Sequence, residues 1–207
     1  MSVVVVRTGM ANLASVLAAF RRLGVEPEVS TDPQVVGHAD RLVLPGVGAF
    51  GAAMQVLRDT GLVEPIAAHV ASGRPLFAVC LGLQVLCEGS EESPGVPGLG
   101  IVEGLVQRFP NHVLVPQLGW NLVRPTEGSR HLVPGHAYYA NSYRLPRLPE
   151  GWEGATSDHG GSFVAALERG NLLACQFHPE LSGVWGRRVI ARWLEAEPVC
   201  EPAGVPC

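Results

Sequence analysis

Short apolar runs alternate with amphipathic segments through the first ninety residues. Val3 to Val6 is apolar at every position and predicts a buried strand, and residues 12–23 predict a helix with Asn12 at its N-cap. Further strands are predicted near residues 26–29, at 41–44 and at 75–79, and further helices at 51–58, 62–72 and 83–88. Strands that are apolar on both faces and alternate with helices are typical of a parallel sheet covered on both sides.

The pattern changes after residue 95, where glycine and proline become frequent. Further apolar runs predict strands, and the turn signals between them suggest hairpins added to the sheet, at residues 101–109, 113–115, 137–143, 163–168 and 172–177. A closing helix is predicted at 184–195. We therefore predict one α/β domain over residues 1–196, an open, mostly parallel, doubly wound sheet flanked by helices with added antiparallel hairpins. The proline- and glycine-rich tail, 197–207, is predicted to be disordered.

Composition narrows the class of protein. With 207 residues, 47% hydrophobic and 16% charged, the chain has enough apolar material for one sizeable core. The formal net charge is −4 and the 15 basic residues are all scattered arginines, so nucleic acid is not an expected partner. No apolar run approaches the roughly 20 residues that a membrane helix needs, so no membrane association is expected.

The cysteines and histidines indicate neither a disulfide framework nor a metal site. Five cysteines, an odd number without CxxC spacing, are typical of free thiols in a reducing compartment, and we expect a cytoplasmic protein without metal or cofactor. Six histidines lack metal-ligand spacing and are expected on the surface or in loops: His38, His69, His112, His131, His136 and His159.

Cys80 stands where a predicted strand runs directly into a helix. Residues 75–84 read PLFAVCLGLQ, with Gly82 two positions after the cysteine. This is the pattern of a nucleophile elbow, in which a tight turn lifts the side chain above the sheet edge. A helix N-terminus also favours the thiolate, the reactive form. Alone, the pattern leaves open a small buried hydrophobe, which is how Cys87 and Cys175 are interpreted.

A candidate base lies at the end of another predicted strand, in the sequence His178-Pro179-Glu180. Proline disfavours helix at the preceding residue, so the backbone at His178 is predicted to be extended. In an extended chain residues two apart point to the same side, and His178 and Glu180 can then meet. The imidazole would take the thiol proton, and the carboxylate would fix its tautomer. Strand ends of open α/β sheets also gather ligand sites, and Cys80 lies at such an end.

The glycine-flanked loop Pro45 to Gly48 follows the third predicted strand. Attack on a carboxamide builds negative charge on its oxygen, which backbone N–H groups commonly stabilise. One donor would be the N–H of Leu81, directly after the nucleophile, and the other that of Val47 or Gly48. Such a loop alone is most often only a turn. A nucleotide site is not expected, because no acidic ribose-binding position follows a later strand.

Six blocks, taken in order, resemble class I glutamine amidotransferases: PGVGAFG, AVCLGLQVL, GSEE, PQLGWN, YANSY and QFHPE. Among these the similarity is greatest to the glutaminase subunits of imidazole glycerol phosphate synthase, and it runs from about residue 3 to residue 195. The resemblance implies that Cys80 is the nucleophile, His178 the general base and acid, and Glu180 the residue that orients it.

The resemblance also implies the substrate and the partner. Glutamine would lie against Gly46, Gly48, Leu81, Gln84, Glu92, Asn141, Ser142 and Tyr143. A thioester would be hydrolysed to glutamate, and the ammonia would pass to a (β/α)₈-barrel cyclase subunit docked over the site. That subunit would make imidazole glycerol phosphate and AICAR in histidine biosynthesis. Glutaminase activity in the family is weak until the partner holds its ligand. The PGVG loop is a candidate for the element that changes, because turning one peptide there would create or remove an oxyanion donor.

The chain departs from the family pattern at a few positions. Residues 7–12 read RTGMAN where an Asp-Tyr-Gly-x-Gly-Asn run is typical, and Ala78 stands where the elbow has glycine. Leu114 and Leu181 replace common lysines, so an ion pair from residue 181 to the partner is lost. The alternatives are a sister glutaminase such as that of pyridoxal phosphate synthase, a stand-alone cysteine hydrolase, and a non-catalytic binding subunit.

Overall fold

The computed structural model describes residues 2–8 and 12–199, and its first half alternates strands and helices. The strands are β1 (Val3–Val6), β2 (Glu28–Ser30), β3 (Arg41–Gly46) and β4 (Leu76–Cys80). The helices are α1 (Leu13–Arg21), α2 (Pro33–His38), α3 (Phe50–Asp59) and α4 (Val63–Ala71). The predicted strands and helices are confirmed here, and Asn12 caps α1 by accepting a hydrogen bond from the Ser15 N–H at 3.3 Å.

Helix α2 was missed by the sequence patterns because it is only six residues long. Its start nevertheless carries two local signals. Asp32 accepts a hydrogen bond from the Gln34 N–H at 2.8 Å, and Pro33 occupies the first helical position, where its missing N–H costs nothing.

The second half is rich in strands. Two helices belong to it, α5 (Leu81–Leu86) and α6 (Gly183–Glu195). Its strands are β5 (Cys87–Ser90), β6 (Val102–Arg108), β7 (Gln117–Pro125), β8 (Gly135–Asn141), β9 (Tyr143–Arg144), β10 (Glu153–Asp158), β11 (Ser162–Arg169) and β12 (Leu172–Cys175).

Two predictions in this half need correction, and some of its strands were not predicted. The predicted strand at 113–115 is wrong, because the Val113 N–H closes a turn onto Pro110 O and the next strand, β7, begins only at Gln117. The helix predicted at 83–88 begins directly after Cys80 and gives way to β5. Strands β5, β7 and β10 were not predicted.

One large sheet organises the described residues. Its strand order is β2-β1-β3-β4-β12-β11-β10-β7-β8, and the first five of these strands run parallel to one another. The other four add on antiparallel, and β5, β6 and β9 form a smaller sheet. This arrangement confirms the predicted open α/β sheet with helices on both faces and added antiparallel hairpins.

The two faces of the large sheet are covered by separate apolar layers. Leu76 and Ala78 of β4 belong to the layer built with α2 to α5, whereas Phe77 and Val79 belong to the layer built with α1 and α6. Alternate strand residues point to opposite faces, so β4 is buried on both sides up to Cys80, its last residue. The strand that carries the candidate nucleophile is therefore buried along its whole length.

The described chain remains hydrogen-bonded after α6. The Val199 N–H donates to Asn171 Oδ1 at 2.7 Å, and Asn171 Nδ2 donates to Val199 O at 3.0 Å. Residues 197–199, where the disordered tail was predicted to begin, are thus attached to the domain. Residues 200–207, with two of the cysteines, and residues 9–11 of the altered N-terminal run lie outside the described residues. None of the helices in the described part is long and apolar enough to cross a membrane.

Candidate active site

Cys80 occupies a sharp corner between β4 and α5. Its φ of 54° makes it the one non-glycine residue with positive φ among those described, a conformation that costs free energy. The corner is tightly packed, since a Cβ on Gly82 would lie 1.9 Å from the backbone oxygen of Leu44. The same Cβ would meet that of Ala78 at 3.5 Å, so alanine is accommodated there. The geometry is that of the elbow expected from the sequence.

His178 and Glu180 lie together just beyond β12. The backbone of His178 is extended, as predicted, and its N–H donates to Tyr138 O at 2.9 Å. Residues 179–181, however, form one turn of 3₁₀ helix, so the chain does not continue extended as the sequence argument assumed. The side chains still meet, with 2.8 Å between His178 Nδ1 and Glu180 Oε1, and they are only 5% and 4% exposed.

The electrostatics of this pair favour a charged imidazole. Burial lowers the pKa of His178, but hydrogen bonds to Cys80 and Glu180, together with their negative charges, outweigh it and raise the pKa to about 10. Because Glu180 engages Nδ1, the other ring nitrogen remains for the thiol. Cys80, His178 and Glu180 thus lie together at the end of the sheet, with the imidazole coupled both to the sulfur and to the carboxylate.

The loop after β3 lies beside the elbow. Gly46 is the register partner of Cys80, and a Cβ on Gly46 would lie 3.0 Å from that of Leu81. Val47 is partly exposed, and Gly48 has a φ of 104°, which glycine adopts without penalty. The structure therefore brings the two predicted sources of oxyanion donors, the PGVG loop and the start of α5, to one edge.

Four of the residues proposed to hold glutamine lie around one backbone carbonyl. Tyr143 O accepts hydrogen bonds from Gln84 Nε2 at 3.1 Å and from Asn141 Nδ2 at 3.0 Å. Ser142 lies between Asn141 and Tyr143 in the chain, and its backbone oxygen accepts a hydrogen bond from the Phe109 N–H at 3.1 Å. Gln84 is buried directly behind the elbow, so this group adjoins the nucleophile.

Glu92 takes a different position from the other proposed ligands. Its Oε2 accepts a hydrogen bond from the Phe50 N–H at 2.7 Å, at the start of α3. The neighbouring Gly51 N–H donates to Ser93 Oγ at 3.0 Å. Glu92 therefore ties its own loop to the end of the PGVG loop.

Gln176 was not singled out by the sequence reasoning, although it begins the QFHPE block. It is fully buried, and its Nε2 lies 3.7 Å from Cys80 Sγ. Its position two residues before His178, at the end of a strand whose neighbour carries Cys80, was the available signal.

Two histidines expected on the surface or in loops are buried. His69 Nε2 lies 3.0 Å from Pro75 O, and His131 Nδ1 lies 3.0 Å from Glu168 Oε2. Both serve the fold away from Cys80. Over residues 2–8 and 12–199, no cluster of three histidine, cysteine or acidic side chains could hold a metal ion.

Exposed apolar side chains border the site. We call Leu118, Trp120, Leu181 and Val184 the apolar rim; their exposed fractions run from 39% to 69%. Trp120 is the register partner of Tyr138, with 6.2 Å between the ring centroids, and Tyr138 forms a bridge with His178. The rim therefore lies within one strand of the candidate base.

Comparison with known proteins identifies the class. The family model described as "Glutamine amidotransferase class-I" matches residues 4–195, so the chain belongs to the class-I glutamine amidotransferase family. A crystal structure titled as a glutamine amidotransferase aligns with a TM-score of 0.74 at 25% identity, covering 93% of this chain and 97% of that one.

Curated relatives specify the group within that class. The chain is 44% identical over 195 residues to imidazole glycerol phosphate synthase subunit HisH of Symbiobacterium thermophilum, covering 92% of each protein. It is 42% identical over 201 residues to the HisH of Escherichia coli O157:H7, covering 94% of this chain and 100% of that protein. The chloroplastic imidazole glycerol phosphate synthase hisHF of Arabidopsis thaliana is 40% identical over 193 residues, which are 90% of this chain and 33% of that protein. The chain is thus a glutaminase subunit of the imidazole glycerol phosphate synthase type.

Proposed function

We propose that Cys80, His178 and Glu180 hydrolyse glutamine to glutamate and ammonia, and that the ammonia passes to a (β/α)₈-barrel cyclase subunit. The observation that carries this proposal is the buried His178–Glu180 pair, 2.8 Å apart, beside a cysteine held at a strained strand-to-helix corner. A structural cysteine would have no need of that corner or of an oriented imidazole.

In the first half of the reaction the thiolate of Cys80 attacks the carboxamide carbon. The new C–S bond leaves negative charge on the oxygen, which the N–H of Leu81 and one from Val47 or Gly48 would stabilise. His178 then gives a proton to the nitrogen, the C–N bond breaks as the C=O bond re-forms, and ammonia leaves, so that a thioester on Cys80 remains. Glu180 keeps the imidazole in the required orientation throughout.

In the second half water replaces ammonia. His178 takes a proton from water as the hydroxyl oxygen bonds to the thioester carbon, and breaking the C–S bond releases glutamate. The thiolate–imidazolium pair is restored. The raised pKa of His178 keeps the imidazole protonated beside the thiolate for the first proton transfer. In the thioester the sulfur has lost its charge, so one cause of the raised pKa is absent when His178 acts as the base towards water.

Besides the oxyanion donors, six residues are proposed to hold glutamine: Gly46, Gln84, Glu92, Asn141, Ser142 and Tyr143. Support comes from the shared carbonyl of Tyr143, which links Gln84 and Asn141 next to the nucleophile. Asn141 Oδ1 is buried and has no hydrogen-bond partner among the described residues, so an acceptor is free for a substrate N–H.

The apolar rim supports docking of the cyclase over the site. Exposed tryptophan and leucine side chains on one face are typical of a protein–protein contact, and here they adjoin His178. Ammonia released beneath such a contact would be shielded from solvent. Leu181, which replaces a common lysine, would contribute an apolar contact in place of an ion pair. In the Arabidopsis hisHF protein the similar segment occupies about a third of a longer chain.

The proposal is tested by glutamate release from the purified chain alone, then with the cyclase subunit, and then with the cyclase and its nucleotide ligand. Strong stimulation by the liganded partner is expected. Full activity of the chain alone would instead indicate a stand-alone hydrolase, and no activity in any mixture a non-catalytic subunit.

A Cys80→Ala substitution separates glutamine hydrolysis from synthesis. Glutamine-dependent turnover by the assembled synthase should vanish, because no thioester can form, whereas turnover with added ammonium salt should persist. Loss of both activities would show that the role of this subunit has been misassigned.

A further inference from the structure

Gln176 connects the nucleophile to the segment that holds the proposed glutamine ligands. Its backbone N–H donates to Ala165 O at 2.8 Å, which fixes the residue just after β12. Its side chain is fully buried between two groups: Nε2 lies 3.7 Å from Cys80 Sγ, and Oε1 accepts from Gln84 Nε2 at 3.0 Å. A buried amide with both ends engaged in this way has one defined orientation.

The direction of these hydrogen bonds is set by a backbone carbonyl. Tyr143 O can only accept, so the group of Gln84 that faces it must be the NH₂. The same NH₂ faces Gln176, whose near atom must then be its oxygen. It follows that Gln176 presents its NH₂, and not its oxygen, to the sulfur of Cys80. Asn141 Nδ2 donates to the same carbonyl and helps to hold it in place.

We propose that Gln176 is a hydrogen-bond donor to the sulfur of Cys80, which it holds in the thiolate form and in one direction for attack. This inference rests on the proposed function, because it assigns a further residue to the same reaction. Hydrogen bonds to charged groups are stronger than those between neutral ones, so this contact matters most while the sulfur is an anion. Gln176 transfers no proton and forms no bond to substrate.

The first test needs neither glutamine nor partner. Gln176→Met keeps the length of the side chain and removes its donor, and Gln55→Met, on the exposed face of α3, serves as the matched control. Alkylation by iodoacetamide is followed at pH 7 on the peptide that carries Cys80. We expect the rate to fall about tenfold in Gln176→Met, the loss of one hydrogen bond to a charged group, and to stay unchanged in the control.

The second test uses the synthase assembled with its cyclase. In Gln176→Met the kcat with glutamine should fall about ten- to a hundredfold while KM changes by less than about threefold. Ammonium-dependent synthesis should equal that of the wild type, which shows that the variant folds and docks. If ammonium-dependent synthesis is lower in Gln176→Met than in the wild type, the same measurements are made on Gln176→Leu, which also removes the donor.

The outcomes separate the two proposals. An unchanged alkylation rate, or a raised KM with unchanged kcat, would overturn the role of Gln176 and indicate that it only supports the binding segment. Slower alkylation in a chain whose wild type never hydrolyses glutamine would support the donor while rejecting the proposed function.

Discussion

His178 and Glu180 are separated by a single proline, whereas Cys80 lies almost a hundred residues earlier. These three could be singled out from the sequence because each follows an apolar strand, and the ends of neighbouring strands converge. Gln176 shares this position at a strand end and was overlooked because an amide has no acid–base chemistry of its own. His131 lies in a loop, and its carboxylate partner is 37 residues away. No local pattern marks a hydrogen bond across such a separation, and the shape of the pocket has to be known first.

At this scale the roles of His178 and Glu180 can be separated by substitution. In the assembled synthase, His178→Asn should lower kcat with glutamine by at least about a thousandfold, because no group remains to protonate the leaving nitrogen. In Glu180→Gln the fall in kcat should be about tenfold smaller than in His178→Asn, since this substitution affects only the orientation and charge of the imidazole. An equal or larger loss in Glu180→Gln would mean that the carboxylate has a direct part in proton transfer.

His69 makes stability depend on pH. Burial, opposed by the hydrogen bond to Pro75 O and assisted by Arg74, lowers its pKa to about 4. His69 is therefore protonated only near pH 4 in the folded protein, whereas in the unfolded chain it is protonated near pH 6.5. The contribution of neutral His69 to the free energy of unfolding is present above pH 6.5 and is lost as pH falls towards 4. Between pH 7 and pH 5 the free energy of unfolding should drop by about 2 kcal/mol on this account.

Urea denaturation at the two pH values, for the wild type and for His69→Gln, isolates this contribution. Glutamine keeps an N–H for Pro75 O and does not titrate. The advantage of the wild type over His69→Gln in free energy of unfolding should therefore be smaller at pH 5 than at pH 7, by about 2 kcal/mol. The exposed His38 provides the control variant, His38→Gln. A pH-independent difference between wild type and His69→Gln would contradict the argument.

At the scale of elements, the strands that were missed share a physical cause. In β7 the usual pattern is inverted, since Leu118 and Trp120 face outward while the polar Gln117 is buried. Strand β10 buries small residues and has no large apolar side chain. Hydrophobic periodicity reports burial and not hydrogen bonding, so it cannot detect a strand with an apolar outer face or one made of small residues. The apolar parallel strands were predictable for the same reason.

The contact of α5 with β3 requires glycine at position 82. Gly82→Ala would place a methyl group 1.9 Å from the backbone oxygen of Leu44, which cannot move without breaking the sheet. We expect a loss of about 3 kcal/mol in the free energy of unfolding, or failure to fold.

Gly37 in α2 supplies the comparison. A Cβ there meets only Pro65 Cβ at 3.9 Å, so Gly37→Ala should be neutral or stabilise the protein by up to about 1 kcal/mol. Thermal unfolding of both variants measures the contrast. Equal stabilities of Gly82→Ala and Gly37→Ala would mean that the backbone at the β4–α5 corner can move to accommodate the added methyl group.

On the scale of the whole molecule, the parallel half and the antiparallel half have different tasks. The parallel strands supply Cys80 and the PGVG loop, and the hairpins supply the segment around Tyr143 and two residues of the apolar rim, Leu118 and Trp120. The sequence predicted this division, because strand and helix patterns give way to turn-rich strands near residue 95. It could not predict which outer faces remain apolar, since exposure depends on how the hairpins pack.

The rim leads to a prediction about association. Trp120→Ala should weaken binding to the cyclase subunit by about thirtyfold, measured by calorimetry, because a large exposed aromatic ring is a typical anchor. The midpoint of thermal unfolding of the isolated chain should hardly change, because the ring is 59% exposed. The control is Leu105→Ala, at an exposed apolar position on a different strand, β6. This substitution should leave the affinity for the cyclase subunit unchanged. An unaltered affinity in Trp120→Ala would place the contact elsewhere.

The backbone of Cys80 also bears on which substitutions folding alone would favour. At a φ of 54° every side chain with a Cβ costs free energy and glycine does not. Selection for stability alone would therefore replace the cysteine with glycine, and only selection for the thiol opposes this. A chain of this family that had lost its chemistry but kept its fold would be expected to drift to glycine at this corner. The residue at position 80 thus indicates which kind of selection a related sequence has experienced.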